Sequence, residues 1–328
     1  MYSLRTDPRL TVYAPAKVNL SLEVLARRVD GFHELETLML AVDACDTLTI
    51  EPTTDCQLSV QCSWANGLLA ARHHYEHTSN PASAQAWGDL PPRQENLVWK
   101  ALHLLRSAAG VTAGAIVTLK KRVPAQAGLG GASADAAAAL LAANQAWNLR
   151  WSLQQLHDLA AQLGSDVPFF LTCGAAICRG RGERIEVIRQ PRCWFVIVRP
   201  PIGLSTPAVF RGCTPEPNRQ ATATIRPALA RGDLSAAARG MHNGLQASAE
   251  AISPWIGKLR QAFEKSGCVG HQMSGSGSSY FGLYWTAAQS RRAAARFRAL
   301  NLGAVMVAQS ISLSTSESPP KQAKSVAN

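Results

Sequence analysis

A glycine-rich loop that runs directly into an alanine-rich helix constrains this chain more than any other feature. The two together occupy residues 123–137, with the sequence VPAQAGLGGASADAA. Gly128, Gly130 and Gly131 allow backbone angles that other residues avoid, and they let an anion approach the backbone closely. The helix starts near Ala132 or Ser133, where unpaired N–H groups and a partial positive charge favour a phosphate. The junction therefore predicts a phosphate site at a strand-to-helix turn.

The spacing of the loop excludes two common phosphate-binding motifs. A P-loop needs a lysine after its last glycine, but Ala132 follows Gly131 here. The dinucleotide fingerprint GxGxxG needs glycine at position 133, which is Ser133. Taken alone, the glycines fit a plain tight connection as well as a binding loop. Other segments have to decide between the two.

Length and composition narrow the class of protein. A chain of 328 residues is long enough for one large or two ordinary domains. No apolar run approaches the roughly 18 residues of a membrane span, and the first residues lack the apolar segment of a secretion signal. The eight cysteines contain no C-x-x-C pair, which favours reduced thiols over disulfides or a zinc site. We expect a cytoplasmic protein with no membrane partner.

The net charge of +11 raises a different class of function, nucleic-acid binding. Nucleic-acid binding favours clustered basic residues with aromatic residues between them. The basic residues here form short groups far apart, such as 120–122 and 291–292. An enzyme that binds anionic nucleotides explains the same surplus, so we expect a small-molecule substrate and no nucleic acid.

Helical and strand patterns are mixed along the chain, which indicates an α+β fold. Residues 12–25 alternate between apolar and polar and predict a half-buried strand, and the alternating strand over 115–123 leads into the glycine loop. We expect an N-terminal domain over 1–184 with an insertion near 70–95, a C-terminal domain over 185–314 and a disordered tail over 315–328. The predicted helices cover residues 96–109, 132–147, 152–163, 227–250, 254–266 and 287–300, and later strands cover 279–285 and 304–312.

Three further segments carry residues suited to chemistry, and each also has an ordinary structural interpretation. Lys17 and Asn19 lie two residues apart on the polar side of the first strand, where a solvated face is the simpler interpretation. Asp166 follows a helix and could merely cap the next one. The glycine-serine loop at 273–277 is, alone, only a flexible turn.

Together, three of these segments resemble the three motifs of the GHMP kinase family, in the expected order. They are APAKVNL at 14–20, the loop from Pro124 to Ala137, and MSGSG at 273–277. The resemblance covers residues 13 to about 313. It implies a two-domain GHMP kinase architecture, with an N-terminal ribosomal protein S5 domain 2-like domain and a C-terminal ferredoxin-like domain.

Other segments are similar to one branch of that family, which acts on a cytidine-diphosphate-linked methylerythritol. They are RVDGFHELETL at 28–38, NLV at 96–98, GSDVPFF at 164–170 and TPAVF at 206–210. The resemblance implies transfer of a phosphoryl group from ATP, with Mg²⁺, to the 2-hydroxyl of that substrate in the non-mevalonate route to isoprenoid precursors. The alternative is another GHMP kinase, of the homoserine or mevalonate type, whose substrates contain no base to stack.

The same resemblance implies roles for individual residues. Asp166 would act as general base, because a carboxylate can accept the proton of an attacking hydroxyl. Lys17 would keep that carboxylate ionised and offset charge on the moving phosphoryl group. No protein ligand for Mg²⁺ is indicated, although Ser133 would contact either a phosphate or the metal.

The resemblance also implies a nucleotide site and a substrate site. Phe32 and Phe210 would sandwich the cytosine, His33 would hydrogen-bond its edge, Asn19 would hold the erythritol end, and Thr206 would join this site. Gln126 and Ala132 stand where the family often has glycine. Whether the chain is a monomer or a homodimer is left open. The residues expected to bind ATP are Pro124, Ala125, Gln126, Ala127, Gly128, Leu129, Gly130, Gly131, Ala132, Ser133 and Ala134, together with Asn96.

Overall fold

A long, twisted antiparallel sheet organises the first half of the chain. The structure is a computed structural model that describes residues 1–66, 87–172 and 174–312. Strands run in the order β1-β2-β3-β5-β4, β6 pairs with β3 and β7, and the short β9 lies parallel to β2. These strands are β1 (Tyr2–Thr6), β2 (Arg9–Arg27), β3 (His33–Thr53), β4 (Leu58–Trp64), β5 (Gly114–Lys121), β6 (Ala175–Gly180), β7 (Arg184–Ile188) and β9 (His242–Asn243).

Strands β2 and β3 form a hairpin that carries the rest of this sheet. Arg27 is opposite His33 at the turn. Strand β5 pairs with β3 over Thr47–Thr53, whereas β6 pairs with it over Leu35–Leu40. The two halves of β3 therefore have different neighbours. Between them, Asp46 of β3 accepts hydrogen bonds from the residues that lead from β5 into the glycine loop.

Four helices follow within the first half, and the alanine-rich α2 is central among them. Its alanines are almost completely buried from Ala134 to Ala143, in one core with residues of α1 and of strands β2 and β3. Small side chains let the helix approach the sheet and α1 closely. The helices are α1 (Leu97–Ala109), α2 (Gly131–Ala146), α3 (Leu153–Leu163) and α4 (Val167–Thr172).

A second, four-stranded antiparallel sheet organises the other half, in the order β10-β11-β8-β12. With the first sheet and its helices it confirms the α+β fold. Strand β7 pairs with β6, so the change from the first sheet to the second falls between Ile188 and Trp194. The elements are β8 (Trp194–Arg199), α5 (Thr206–Gly212), α6 (Ala221–Ala230), α7 (Leu234–Gly240), α8 (Gln246–Ile252), α9 (Pro254–Glu264), β10 (Gly270–Met273), β11 (Tyr280–Tyr284), α10 (Ala287–Ala299) and β12 (Ala304–Gln309).

The structure contradicts two expectations about these elements. The helix predicted over 227–250 is wrong, because the chain forms α6, α7, β9 and α8 there. Gly232 adopts a left-handed φ of 72°, and the Asp233 side chain caps α7 by accepting from the Ala236 amide at 2.9 Å. The predicted tail at 315–328 and most of the insertion near 70–95 lie outside the described residues.

The second correction concerns β2, which is buried on both faces rather than half-buried. Its polar residues Lys17, Asn19, Ser21 and Glu23 are each at most 4% exposed. Helix α6 covers the Ser21–Glu23 part of this polar face, since Thr222 hydrogen-bonds the Ser21 hydroxyl at 2.7 Å and donates its amide to Glu23. The described part of the chain contains no helix of sufficient length and apolarity to cross a membrane.

Candidate active site

Two cavities meet at the glycine loop. The larger has a volume of 1210 Å³ and the smaller 530 Å³. Residues Gln126, Gly128, Gly130 and Ser133 line both cavities, so the loop forms a wall between them. Every residue from Pro124 to Ser133 lines the smaller cavity, as does Asn96, whereas Ala134 is buried in α2.

Two glycines are required by the shape of this loop. Gly128 has a φ of 71°, and a Cβ there would lie 2.0 Å from the backbone oxygen of Ser274. Gly130 precedes α2 with a φ of 69°, and its Cβ would lie 2.7 Å from the ring of Phe170. The loop therefore packs closely on both sides. Its last residues leave the first N–H groups of α2 at the cavity wall, where an anion can accept from them.

The loop is held by both of the other predicted motifs. The Lys17 amide of β2 donates to Leu129 O at 2.9 Å, and the Ser279 amide donates to Ala127 O at 3.1 Å. The hydroxyl of Ser274 donates to Gly128 O at 3.0 Å. All three predicted motifs therefore meet at the glycine loop.

Lys17 and Asp166 come together in the larger cavity. Lys17 Nζ lies 3.5 Å from Asp166 Oδ2 and donates to Asn19 Oδ1 at 2.7 Å. The lysine side chain is 4% exposed, whereas that of Asp166 is 35% exposed. The ammonium group is therefore fixed by protein partners, while the carboxylate is open to a ligand.

Behind this pair lies a buried thiol. Burial raises the pKa of Cys178, and the negative charge of Asp166 raises it further. Cys178 therefore remains an uncharged thiol next to the pair.

Asn19 is the centre of a buried hydrogen-bond network rather than a solvated side chain. Its Nδ2 donates to Thr37 Oγ1 at 2.8 Å, and Gln272 Nε2 donates to its backbone oxygen at 2.7 Å. Thr37 in turn donates to Ser21 O at 2.6 Å. The network fixes Asn19 and, through it, the direction of the Lys17 ammonium group.

The predicted base-binding residues also line the larger cavity. The rings of His33 and Phe210 are 5.1 Å apart, and Phe32 is 50% exposed. Desolvation lowers the pKa of His33, and the charge of Arg27 lowers it further, so the ring is neutral at neutral pH. Thr206 lies nearby and hydrogen-bonds Ser276 of the third motif at 2.8 Å.

Both halves of the chain match models of the GHMP kinase family. Residues 96–174 match the GHMP kinases N terminal domain, and residues 225–301 match the GHMP kinases C terminal domain. A 4-diphosphocytidyl-2-C-methyl-D-erythritol kinase from Pelotomaculum thermopropionicum is 40% identical over 293 residues, which cover 88% of this chain and 94% of the relative. The chain belongs to the 4-diphosphocytidyl-2-C-methyl-D-erythritol kinases of the GHMP family.

Two further matches agree with membership of these kinases. The enzyme of the same name from Polaromonas sp. is 39% identical over 83% of this chain and 82% of its own length. The crystal structure of a 4-(cytidine 5'-diphospho)-2C-methyl-D-erythritol kinase superposes with a TM-score of 0.73 at 34% identity, covering 92% of this chain and 98% of that one. A homoserine kinase from Cytophaga hutchinsonii has a TM-score of 0.69 at 18% identity, a likeness of fold.

Cationic residues at the larger cavity of this kinase were missed by sequence reasoning. The Arg181 guanidinium lies 4.3 Å from the centre of the Phe32 ring, and Arg27, Arg28 and Arg211 also line the cavity. Arg181 lies in the turn between β6 and β7, where Gly180 and Gly182 have positive φ. The available signal was the segment CRGRGE at 178–183, a basic hairpin turn with glycines at alternate positions.

The two departures from family glycines differ in their cost to this kinase. Gln126 has a left-handed φ of 50°, which costs a residue with a Cβ roughly 1–2 kcal/mol. Ala132 lies in helix α2 and is exposed, so its side chain meets no such strain. Glycine is therefore the better residue at 126 alone.

Proposed function

We propose that this kinase transfers the γ-phosphoryl group of ATP to the 2-hydroxyl of 4-diphosphocytidyl-2-C-methyl-D-erythritol, with Asp166 as general base. One observation carries the proposal. The glycine loop separates two cavities, and the Lys17–Asp166 pair lies in the larger one, which the loop also lines. A donor held on one side of the loop and an acceptor held on the other would meet at its edge.

ATP would occupy the smaller cavity, with its phosphates against the loop. The first N–H groups of α2 and the positive end of the helix favour the triphosphate. Asn96 lines this cavity while its side chain caps α1 by accepting from the Val98 amide at 2.9 Å. The carboxamide is therefore fixed in place at the wall where the nucleoside would lie.

Mg²⁺ fits this site as a companion of the nucleotide. It is usually bound by one or two protein oxygens together with phosphates and water, so a dedicated protein cage is not needed. The Ser133 hydroxyl lines both cavities and supplies such an oxygen. When bound, the ion would neutralise charge on the transferred group.

The cytidyl substrate would occupy the larger cavity. Phe32 and Phe210 offer aromatic surface to the cytosine, and the neutral His33 offers its edge a hydrogen bond. Stacking on aromatic side chains contributes roughly 1–3 kcal/mol per base. The arginines at this cavity, Arg181 among them, suit the diphosphate of the same molecule.

The chemistry then depends on two side chains. As the 2-hydroxyl oxygen bonds to the γ-phosphorus, the bond from that phosphorus to the β–γ bridging oxygen breaks and ADP leaves. The hydroxyl proton passes to a carboxylate oxygen of Asp166. The Lys17 ammonium, 3.5 Å from that carboxylate, offsets charge on the phosphoryl group during transfer. Asn19 prevents the ammonium from turning away.

The test supplies the purified protein with Mg-ATP and three acceptors in parallel: the cytidyl substrate, homoserine and mevalonate. We expect phosphorylation of the cytidyl substrate alone, detected as its 2-phosphate by ³¹P NMR and as ADP release. Phosphorylation of homoserine or mevalonate in its place would contradict the proposal and favour another GHMP activity.

A further inference from the structure

A buried cluster of three charged side chains lies beneath the glycine loop and outside the mechanism above. It consists of Lys121 at the end of β5, Asp46 in β3 and Asp135 in α2, and is called here the loop clamp. We propose that Lys121 is a positioning residue that, through Asp46 and Asp135, holds the two ends of the glycine loop at the separation that ATP requires. The proposal rests on the proposed role of the loop in binding ATP.

The clamp fixes the start of the loop. Lys121 Nζ pairs with Asp46 Oδ2. The other oxygen of that carboxylate, Oδ1, accepts from the backbone amides of Arg122 and Val123, the latter at 2.9 Å. These two residues directly precede Pro124, where the loop begins. Asp46 therefore fixes the backbone path by which the chain enters the loop.

The clamp also fixes the end of the loop. Lys121 Nζ pairs with Asp135 Oδ2 in the second turn of α2. Lys121 Nζ would also lie 3.4 Å from a Cβ placed on Gly131, the first residue of that helix. One ammonium group therefore joins the residues before the loop to the helix after it. The middle of the loop is held separately, by the contacts at Ala127, Gly128 and Leu129.

The clamp is almost free of solvent. The side chains of Lys121, Asp46 and Asp135 are 7%, 0% and 4% exposed. An ion pair at this depth is not screened by water, so breaking it by removal of one partner leaves an uncompensated buried charge. A cluster of this kind restrains the chain far more strongly than a surface ion pair does.

The clamp also contains two acidic side chains and one basic side chain. Asp135 Oδ1 is buried without a hydrogen-bond partner among the described residues. Burial lowers the pKa of Lys121, but the two carboxylates outweigh burial and raise it. Cys62 of β4 faces the cluster, and burial raises its pKa to about 11, so it adds no charge.

The loop clamp could affect ATP binding by positioning the glycine loop or by direct electrostatic interaction with ATP. These two roles predict opposite effects of Asp46→Asn on ATP affinity. Asp46→Asn removes a negative charge near the phosphate site, so direct electrostatics alone would make ATP bind more tightly. The same change places an amide against the Lys121 ammonium and opens the clamp, so positioning makes ATP bind more weakly. We expect the dissociation constant of ATP to rise by a factor on the order of 10, the effect of a lost charged hydrogen bond.

The experiment measures ATP affinity by calorimetry on the full chain without acceptor, and KM for each substrate in the kinase assay. Asp46→Asn and Lys121→Met are compared with Asp43→Asn and Lys120→Met, neighbours on the same strands that lie outside the clamp. We expect only the clamp variants to lose ATP affinity, with KM for the cytidyl substrate changed less than about 2-fold. Circular dichroism reports the folded fraction, and Asp135→Asn, which preserves shape, provides a third variant if Lys121→Met fails to fold.

Two outcomes would overturn the inference: unchanged or tighter ATP binding in folded Asp46→Asn, or equal losses for both substrates in every clamp variant. Equal losses indicate a structural role only. Failure of the proposed function is distinguishable, because the unsubstituted chain would then bind no ATP or phosphorylate no cytidyl substrate.

Discussion

Lys17 and Asp166 share one ion pair but differ in their freedom to move. The lysine is buried and hydrogen-bonded to Asn19, whereas the aspartate carboxylate faces the cavity. A fixed cation beside an accessible carboxylate suits a base that must accept a proton and release it again. An ordinary helix cap would not require a buried lysine within 3.5 Å.

Asp166→Asn tests this role with little change of shape. We expect kcat to fall by a factor of roughly 10² to 10⁴, because the amide cannot accept the hydroxyl proton. The dissociation constant of ATP, measured by calorimetry, should change less than about 2-fold, since the loop is untouched.

Asp158→Asn supplies the control for that substitution. Asp158 is exposed on α3, and its carboxylate accepts a local hydrogen bond from Gln154. Its replacement should leave kcat unchanged. A full kcat in Asp166→Asn would remove this residue from the role of base.

At the scale of the elements, local chemistry made some segments predictable. Helix α1 begins after Asn96, whose side chain caps it, and ends at Gly110 in the left-handed conformation. Both signals lie within the helix and its neighbours, so a single sequence contains them. The same is true of α3, which ends at Gly164 after a capping box at Ser152.

Other features depend on residues far apart in the chain, and the sequence alone could not predict them. Ser21 is buried because it meets Thr222, 201 positions away. Arg181 lies at the cavity because the β6–β7 turn points toward Phe32. The clamp joins Asp46 to Lys121 across 75 positions. Motifs predicted which segments converge, but not which intervening side chains complete the site.

Gly128 shows how closely these elements meet. A Cβ at this position would lie 2.0 Å from Ser274 O and 2.9 Å from Gly277 O, both backbone atoms of the third motif. Gly110 has a similar φ of 64°, but a Cβ there meets nothing within 4 Å. Substitution of Gly110 measures the free-energy cost of a left-handed backbone alone, whereas substitution of Gly128 adds the cost of a steric clash.

We expect Gly110→Ala to lower the free energy of unfolding by roughly 1–2 kcal/mol, with kcat/KM unchanged. Gly128→Ala should cost more stability and also lower kcat/KM by a factor on the order of 10 or more, because the loop must move away from Ser274. Urea unfolding and the kinase assay measure the two effects. Equal stability losses with full activity in both variants would contradict the close packing inferred at Gly128.

At the scale of the whole molecule, the proposed active site lies where the two sheets meet. Lys17 comes from the first sheet, whereas Ser274 follows β10 of the second. Four of the arginines that contribute to the net charge of +11 line the larger cavity: Arg27, Arg28, Arg181 and Arg211. Positive charge at a cleft raises the local concentration of an anionic substrate.

We expect this arrangement to make catalysis dependent on salt. Raising ionic strength from about 0.05 to about 0.5 M should lower kcat/KM for the cytidyl substrate by a factor on the order of 10, because salt screens the attraction. Arg181→Gln should lower kcat/KM at low salt and flatten this dependence. Arg292→Gln removes the same charge from an exposed position on α10 and should leave the slope unchanged. Equal slopes in all three proteins would mean that Arg181 does not attract the substrate and that the positive charge acts elsewhere on the surface.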